Sequence, residues 1–202
     1  MELLQLTPVQ FGIFDFARGI ALTSPSSNDV QKVLEDLKPI LGSAIVIGGL
    51  AVIHHGYVRA TDNADILYAH ADATIFKRLA EKFKVGKKAK NGWHKFEHKA
   101  TKVRLELIPE GGLTTYGFIP GPHFFGSDNG FLPLWGVMWL KLVSGRAKDE
   151  ADIIELAVRR LNDVQATRSK LPPEFLERFD AMIVRAKAQM ASDPYKDQED
   201  AD

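Results

Sequence analysis

The segment 44–67, AIVIGGLAVIHHGYVRATDNADIL, constrains the chain most, because it runs from a β-branched apolar stretch through a glycine pair and back into a second apolar stretch. The short run at 44–47, closed by Gly48 and Gly49, predicts a buried strand that ends in a tight turn. Residues 50–57 then leave room only for a short helix. Gly49 falls at the start of that helix, where free N–H groups and a missing Cβ suit a phosphate. A plain strand-to-helix turn is the simpler reading of the two glycines alone. In the continuation, Asn63 and Asp65 stand two apart at the start of a predicted strand and so share one face, with Asp62 on the other. Two oxygen-bearing side chains on one face, beside a glycine turn, suit a hard cation such as Mg²⁺ that in turn holds a nucleotide's phosphates.

The 202 residues suit one domain, or one domain with a helical appendage, and the 45% hydrophobic content is that of a globular core. No apolar run approaches the ~20 residues of a membrane span, and the first ten residues lack the basic and apolar blocks of a secretory signal, so a cytoplasmic, non-membrane protein is expected. With no cysteine, thiolate catalysis and cysteine-bound zinc are excluded. The six histidines show no H-x-x-x-H spacing on one helix, so any metal is expected to be oxygen-bound. Charge balances overall, 26 basic against 26 acidic residues, but the segment from Lys77 to Arg104 holds eleven Lys or Arg and only Glu81 and Glu97 as acids. It would meet RNA or polyphosphate through counterion release. Its plainer reading is a solvated helix face followed by a lysine-rich hairpin edge that discourages strand aggregation.

Along the chain, residues 1–27 form an N-terminal extension with a short helix expected over 8–20. Ser27 or Asn28 caps a helix carrying Val30, Val33, Leu34, Leu37, Ile40 and Leu41, and Gly42 ends it. Strand 64–69 is followed by a crossover helix over 71–84, with Ile75, Phe76, Leu79, Ala80 and Phe83 on one face. Residues 92–98 and 102–108 then read as two antiparallel strands, with Val103, Leu105 and Leu107 alternating against Arg104, Glu106 and Ile108. The connector 109–133 is rich in Gly and Pro and long for a compact domain, as a lid or partner surface would be. Helices follow over 133–143 and 147–161, broken at Ser144 and Gly145, then a last amphipathic helix from Pro172 and Pro173 to about Met190. Residues 163–192 thus make a C-terminal helical unit, and the acidic tail 193–202 lacks core residues.

Glu106 is the third acid of interest. Alone, a Glu at such a position is most simply on a solvated strand face; beside Asn63 and Asp65 it completes a metal and base cluster. His54 and His55 read best as core residues, with a phosphate contact as the alternative. Trp93, Phe96, Trp135 and Trp139 read as core or interface aromatics.

Gly48, Gly49, Ala51, His55, Gly56, Arg59, Thr61 and Asp65 fall at the spacing found in the nucleotidyltransferase (DNA polymerase β-like) superfamily, and this segment resembles the small bacterial branch that includes abortive-infection type toxins. Asn63 stands where that family carries its first metal-binding Asp. A second block, Lys141, Gly145, Arg146, Lys148, Asp149 and Asp152 in LKLVSGRAKDEADIIEL, is similar to the family's helix–turn–helix beside the nucleotide. Local ion pairing explains Arg146, Lys148, Asp149 and Asp152 equally well; Lys141 projects from an otherwise apolar helix and is harder to explain that way. The resemblance covers residues 28–162. It implies an α/β (α+β) nucleotidyltransferase fold, a small mixed sheet flanked by helices. It also implies metal-dependent transfer of a nucleotide from a nucleoside triphosphate to RNA, protein or a small molecule. Asp65, Asn63 and Glu106 would hold Mg²⁺ or Mn²⁺ and serve catalysis, while Gly48, Gly49, Arg59, Thr61 and Lys141 would bind the triphosphate. An antitoxin protein is an implied partner. The alternative is a catalytically impaired relative that binds nucleotide, RNA or a protein.

Overall fold

The computed structural model describes residues 27–61, 63–70, 74–88, 93–114 and 116–192. The helix expected over 8–20, Asp62 and the tail 193–202 lie outside them.

Helix α1 (Ser27–Leu37) leads through Ile40 and Leu41 to strand β1 (Ile45–Ile47), which passes directly into α2 (Gly48–His54). Strand β2 (Asn63–Tyr68) is followed by α3 (Ile75–Lys82), β3 (Phe83–Lys88), β4 (His94–His98) and β5 (Arg104–Pro109). The sheet order is β1-β2-β5-β4-β3, with β2 and β5 parallel and every other pair antiparallel. A mixed α/β chain with a small mixed sheet, as expected, is what forms. The crossover helix is shorter than expected. Phe83, placed by its spacing on that helix, instead opens strand β3, because its extended backbone lets the ring bury against His98 while Lys84 pairs with Glu97. The lysine-rich run is therefore a true edge strand.

Strand alternation sorts the core into two parts. Val46, Ile66, Tyr68, Phe96, Leu105 and Leu107 face α1 and α3, where Val33, Leu37, Ile75 and Leu79 close one layer. On the opposite face, Ile45, Leu67 and Ile108 meet the C-terminal helices. Each of these side chains is almost fully buried, which stabilises by about 1.5–3 kcal/mol per large aliphatic residue.

The long connector is more structured than a bare lid. It contains α4 (Pro122–Phe125), and Ile119, Phe125 and Leu132 enter the core. Its residues 130–132 also add to the sheet edge: Val46 donates to Gly130 O and its own carbonyl accepts from Leu132 N, both at 2.8 Å. Then come α5 (Leu134–Ser144), α6 (Ala147–Arg159), α7 (Leu161–Ala166) and, after two 3₁₀ turns at Thr167–Lys170 and Pro173–Phe175, α8 (Leu176–Ala191). Gly145 ends α5 in the left-handed conformation that a Cβ disfavours. Helix α8 is no loose appendage, since Phe179, Met182, Ile183 and Ala186 share the core of α5 and α6. Arg178 clasps the junction, donating to Leu142 O and Gly145 O at 3.2 Å and to Glu150 Oε1 at 2.6 Å. Among the described residues no helix is long and apolar enough to cross a membrane.

Candidate functional site

The face of the sheet that carries Leu67 and Ile108 also carries, two residues earlier on each strand, Asp65 and Glu106. The two acids are direct register partners across β2 and β5, as Asn63 is with Arg104. Because α5 and α6 cover only the far end of this face, the near end stays open as a cleft of about 770 Å³. Gly48, Gly49, Arg59, Thr61, Asn63, Asp65, Glu106, Lys141 and Arg146 all line it. The residues singled out in two separate sequence blocks thus converge on one cavity.

Asp65 lies at its centre. Gly48 adopts φ +65°, and a Cβ there would collide with Asp65 Oδ2, so the turn is glycine both for its backbone and for the carboxylate pressed against it. Asp65 remains reachable by water from the cleft, yet the surrounding walls strip most of its hydration, and Glu106 stands beside it. Burial first, and the neighbouring negative charge second, push its pKa up to about 6, against the pull of Lys141, Arg146 and Lys148. Asn63 relieves part of the cost by donating Nδ2–H to Asp65 Oδ1 at 2.7 Å. Glu106, in turn, pairs with Lys95 of the adjacent strand, Nζ to Oε1 3.1 Å.

Gly49 is less bare than a phosphate cradle built on backbone alone would require. A Cβ on it would sit 2.8 Å from Thr61 Oγ1 and 2.9 Å from Arg59 Nη2, so those two side chains lie over it. With seven residues, α2 also adds little macrodipole. An anion reaching this turn meets a guanidinium and a hydroxyl before it meets the main chain.

The second wall is an ion network. Lys141, buried on α5, donates to Asp149 Oδ1 at 2.7 Å and Asp152 Oδ2 at 2.5 Å. Arg146 grips Asp149 through Nε at 2.6 Å and Nη2 at 3.2 Å. Arg59 reaches across from the loop before β2: its Nη2 donates to Asp152 Oδ2 at 3.3 Å, while its Nε lies 2.8 Å from Oδ1 with the N–H directed off that line. Burial alone would raise the Asp149 carboxyl; Arg146 and Lys141 outweigh it and hold the group down to about 2. Three cations against two anions leave this wall positive by one charge, with exposed Lys148 next to it. The Lys141 ammonium therefore acts on the cleft as part of a network rather than as a free side chain. Of the local pairing foreseen for Arg146, Lys148, Asp149 and Asp152, the Arg146–Asp149 pair is present, while Asp152 is held by Lys141 and Arg59.

Two carboxylates and an amide on one side and a net positive wall on the other form a donor set for a hard divalent cation beside a polyanion. No family model matches this chain, and no curated protein matches it.

Outside the cleft, His55 is buried and its Nε2 bonds Leu132 O at 2.8 Å, which agrees with a core role. Burial lowers its pKa below the usual imidazole value, so it is neutral at pH 7. Sequence spacing does not join it to Asp128, whose carboxylate meets His54 from 74 residues away. In the basic segment, Lys99 caps α3 by donating to Ala80 O and Glu81 O, Lys102 pairs with Glu97 and Lys82 with Asp36. Lys84 and Lys88 are exposed along β3.

Proposed function

We propose that the chain has the nucleotidyltransferase fold of the DNA polymerase β-like superfamily. On this reading its cleft takes a nucleoside triphosphate with Mg²⁺ or Mn²⁺ and transfers the nucleotide to an acceptor hydroxyl. The observation that carries the proposal is the Asp65–Glu106 pair at facing positions of parallel strands, opposite the Gly48 turn and beneath a wall of net positive charge.

The residues fit a hard cation. Asp65 is a poorly hydrated carboxylate with a second acid at its side, and a divalent ion would relieve both the desolvation and the repulsion that raise its pKa. Once bound, the ion would stabilise charge on the phosphoryl oxygens. Arg59 and Thr61, lying over Gly49, would hold the terminal phosphates. Lys141 and Arg146 would keep that wall rigid and positive. In the transfer the acceptor oxygen bonds to the α-phosphorus, the bond to pyrophosphate breaks, and the hydroxyl proton passes to a carboxylate, for which Glu106 is positioned. RNA is the acceptor class favoured by exposed Lys84 and Lys88 on the edge strand, and a bacterial antitoxin-like protein is a partner consistent with the same family likeness.

One observation favours a second reading, a nucleotide-binding relative that transfers slowly or not at all. Asn63 already donates to Asp65 and Lys95 already pairs with Glu106, so both acids are satisfied without a metal. The deciding experiment is incubation with each labelled triphosphate, Mg²⁺ or Mn²⁺ and total RNA or protein, with calorimetry alongside. Labelled product supports transfer, and saturable binding without product supports the second reading. The absence of binding for every triphosphate would refute both.

A further inference from the structure

Helix α2 carries a second cluster at its other end, outside the cleft. His54 Nε2 lies 3.1 Å from Asp128 Oδ2, and one ligand atom from each of His54, His55 and Asp128 falls within 4.8 Å of the other two. We infer that these three side chains form a binding site for a divalent transition-metal ion of the zinc class, independent of the cleft.

Distance is the first argument. Tetrahedral zinc with bonds of 2.0–2.1 Å sets its ligand atoms about 3.3 Å apart. The His54–Asp128 separation already matches such an edge, and binding would have to draw the His55 ligand atom, now within 4.8 Å of the other two, to the same spacing.

Preorganisation is the second. His54 is stacked flat on Phe131, ring centres 4.3 Å apart and planes 3° from parallel. Asp128 sits in a turn closed by two main-chain bonds with Phe131, its N–H donating at 2.8 Å and its carbonyl accepting at 2.9 Å. Its Oδ1 also accepts from Asn129 Nδ2 at 3.3 Å, leaving Oδ2 toward the histidines. His55 Nε2 faces the carbonyl of Leu132, which only accepts, so that nitrogen carries the proton and Nδ1 keeps the lone pair. A ligating imidazole normally has its other N–H held by such a carbonyl. The half-exposed side chain of Asp128 provides an entry path and room for a water as fourth ligand.

Ligand type is the third. Two imidazoles and one carboxylate select zinc-class ions over Mg²⁺, whereas the cleft offers oxygen donors. A metal here would tie the end of α2 to the 128–132 segment that bonds to β1 through Val46. It would thereby brace the helix whose first residues, Gly48 and Gly49, face the cleft.

The test uses the full chain, stripped with a chelator and dialysed. Titration with Zn²⁺ by calorimetry should show one ion per chain at micromolar affinity or better, and Co²⁺ should give the visible d–d bands of a tetrahedral site. Zn²⁺ should raise the melting temperature where an equal concentration of Mg²⁺ does not. Asp128→Asn and His54→Gln, checked for folding by circular dichroism, should each weaken Zn²⁺ at least tenfold, while Asp65→Asn leaves it unchanged. If either variant fails to fold, the wild-type stoichiometry, Co²⁺ spectrum and the Asp65→Asn control decide. Absence of a one-ion Zn²⁺ isotherm would overturn the proposal. So would binding that survives both cluster variants, or binding that Asp65→Asn abolishes, which would place the ion in the cleft.

Discussion

Asn63 donates its Nδ2–H to Asp65 Oδ1 across 2.7 Å, so an amide occupies the flank of that carboxylate where a second negative charge would otherwise stand. That hydrogen bond satisfies one oxygen of Asp65 by itself, and under the proposed function it would compete with a cation for the carboxylate. Asn63→Asp should lower the melting temperature in chelator, by adding repulsion beside Asp65 and Glu106. It should also tighten Mn²⁺ by tenfold or more, worth about 1.4 kcal/mol. Thermal melts of both proteins with and without Mn²⁺ check this. Equal Mn²⁺ shifts would show that position 63 does not touch the ion.

Gly48→Ala should be costly for two reasons that act together. The left-handed backbone alone costs about 1–2 kcal/mol for a residue with a Cβ, and the methyl would displace Asp65 Oδ2. Urea denaturation should show the loss of stability, and divalent-ion affinity should fall with it. A variant of full stability and full metal affinity would contradict the close approach of turn and carboxylate.

The raised pKa of Asp65 sets a pH dependence with a definite sign. Folding favours the protonated acid, so the stability it contributes is present below the unfolded value of about 4 and is lost as pH rises through about 6. Asp65→Asn, which can still accept from Asn63, should therefore raise the melting temperature at pH 7.5 and change it little at pH 4. Mg²⁺ binding runs the other way, weakening about tenfold per pH unit below 6 because the metal needs the carboxylate. A pH-independent Mg²⁺ affinity between 5 and 7 would remove Asp65 from the site.

For Lys141 the structure separates two outcomes. Lys141→Met leaves Asp149 and Asp152 buried with fewer partners, and breaking such a network costs roughly 3–5 kcal/mol. Acid should act similarly on Asp149. Its depressed pKa contributes about 2 kcal/mol that is present above pH 4 and lost as pH falls through about 2. If Lys141→Met keeps its stability but loses triphosphate binding, the ammonium serves the ligand directly.

Lys84→Glu together with Lys88→Glu should weaken RNA binding and reduce the slope of log affinity against log salt by about one for each phosphate that is no longer neutralised. An unchanged slope leaves the two lysines as the charged guard of an open sheet edge.

Much of the site is legible in the sequence because its residues lie close together along the chain or obey strand periodicity. The strand Ile45–Ile47, the helix opened by Gly48 and the strand carrying Asp65 follow one another along the chain, and the period of two in VRLELIP places Glu106 and Arg104 on one face and Leu105 and Leu107 on the other. The edge strand β3 is not legible in this way, since Ile75, Phe76, Leu79 and Phe83 satisfy a helical period and nothing local shows that Phe83 gains more by turning onto His98. Nor can spacing reveal what surrounds a charge. Lys141 reads as an isolated cation on an apolar helix until α6 folds back and supplies Asp149 and Asp152.

By itself, the sequence determined the order of the main elements other than β3 and α4, the glycine at the turn and the face on which each acid stands, all set by local sterics and alternation. Only the tertiary structure decided the rest: that Asp65 is desolvated, that Asn63 and Lys95 satisfy the two acids, that Arg59 spans the cleft to Asp152, and that His54 meets Asp128. Desolvation and ion pairing depend on distances between segments up to ninety-three residues apart, and chain closure fixes those distances only once both layers of the core are packed.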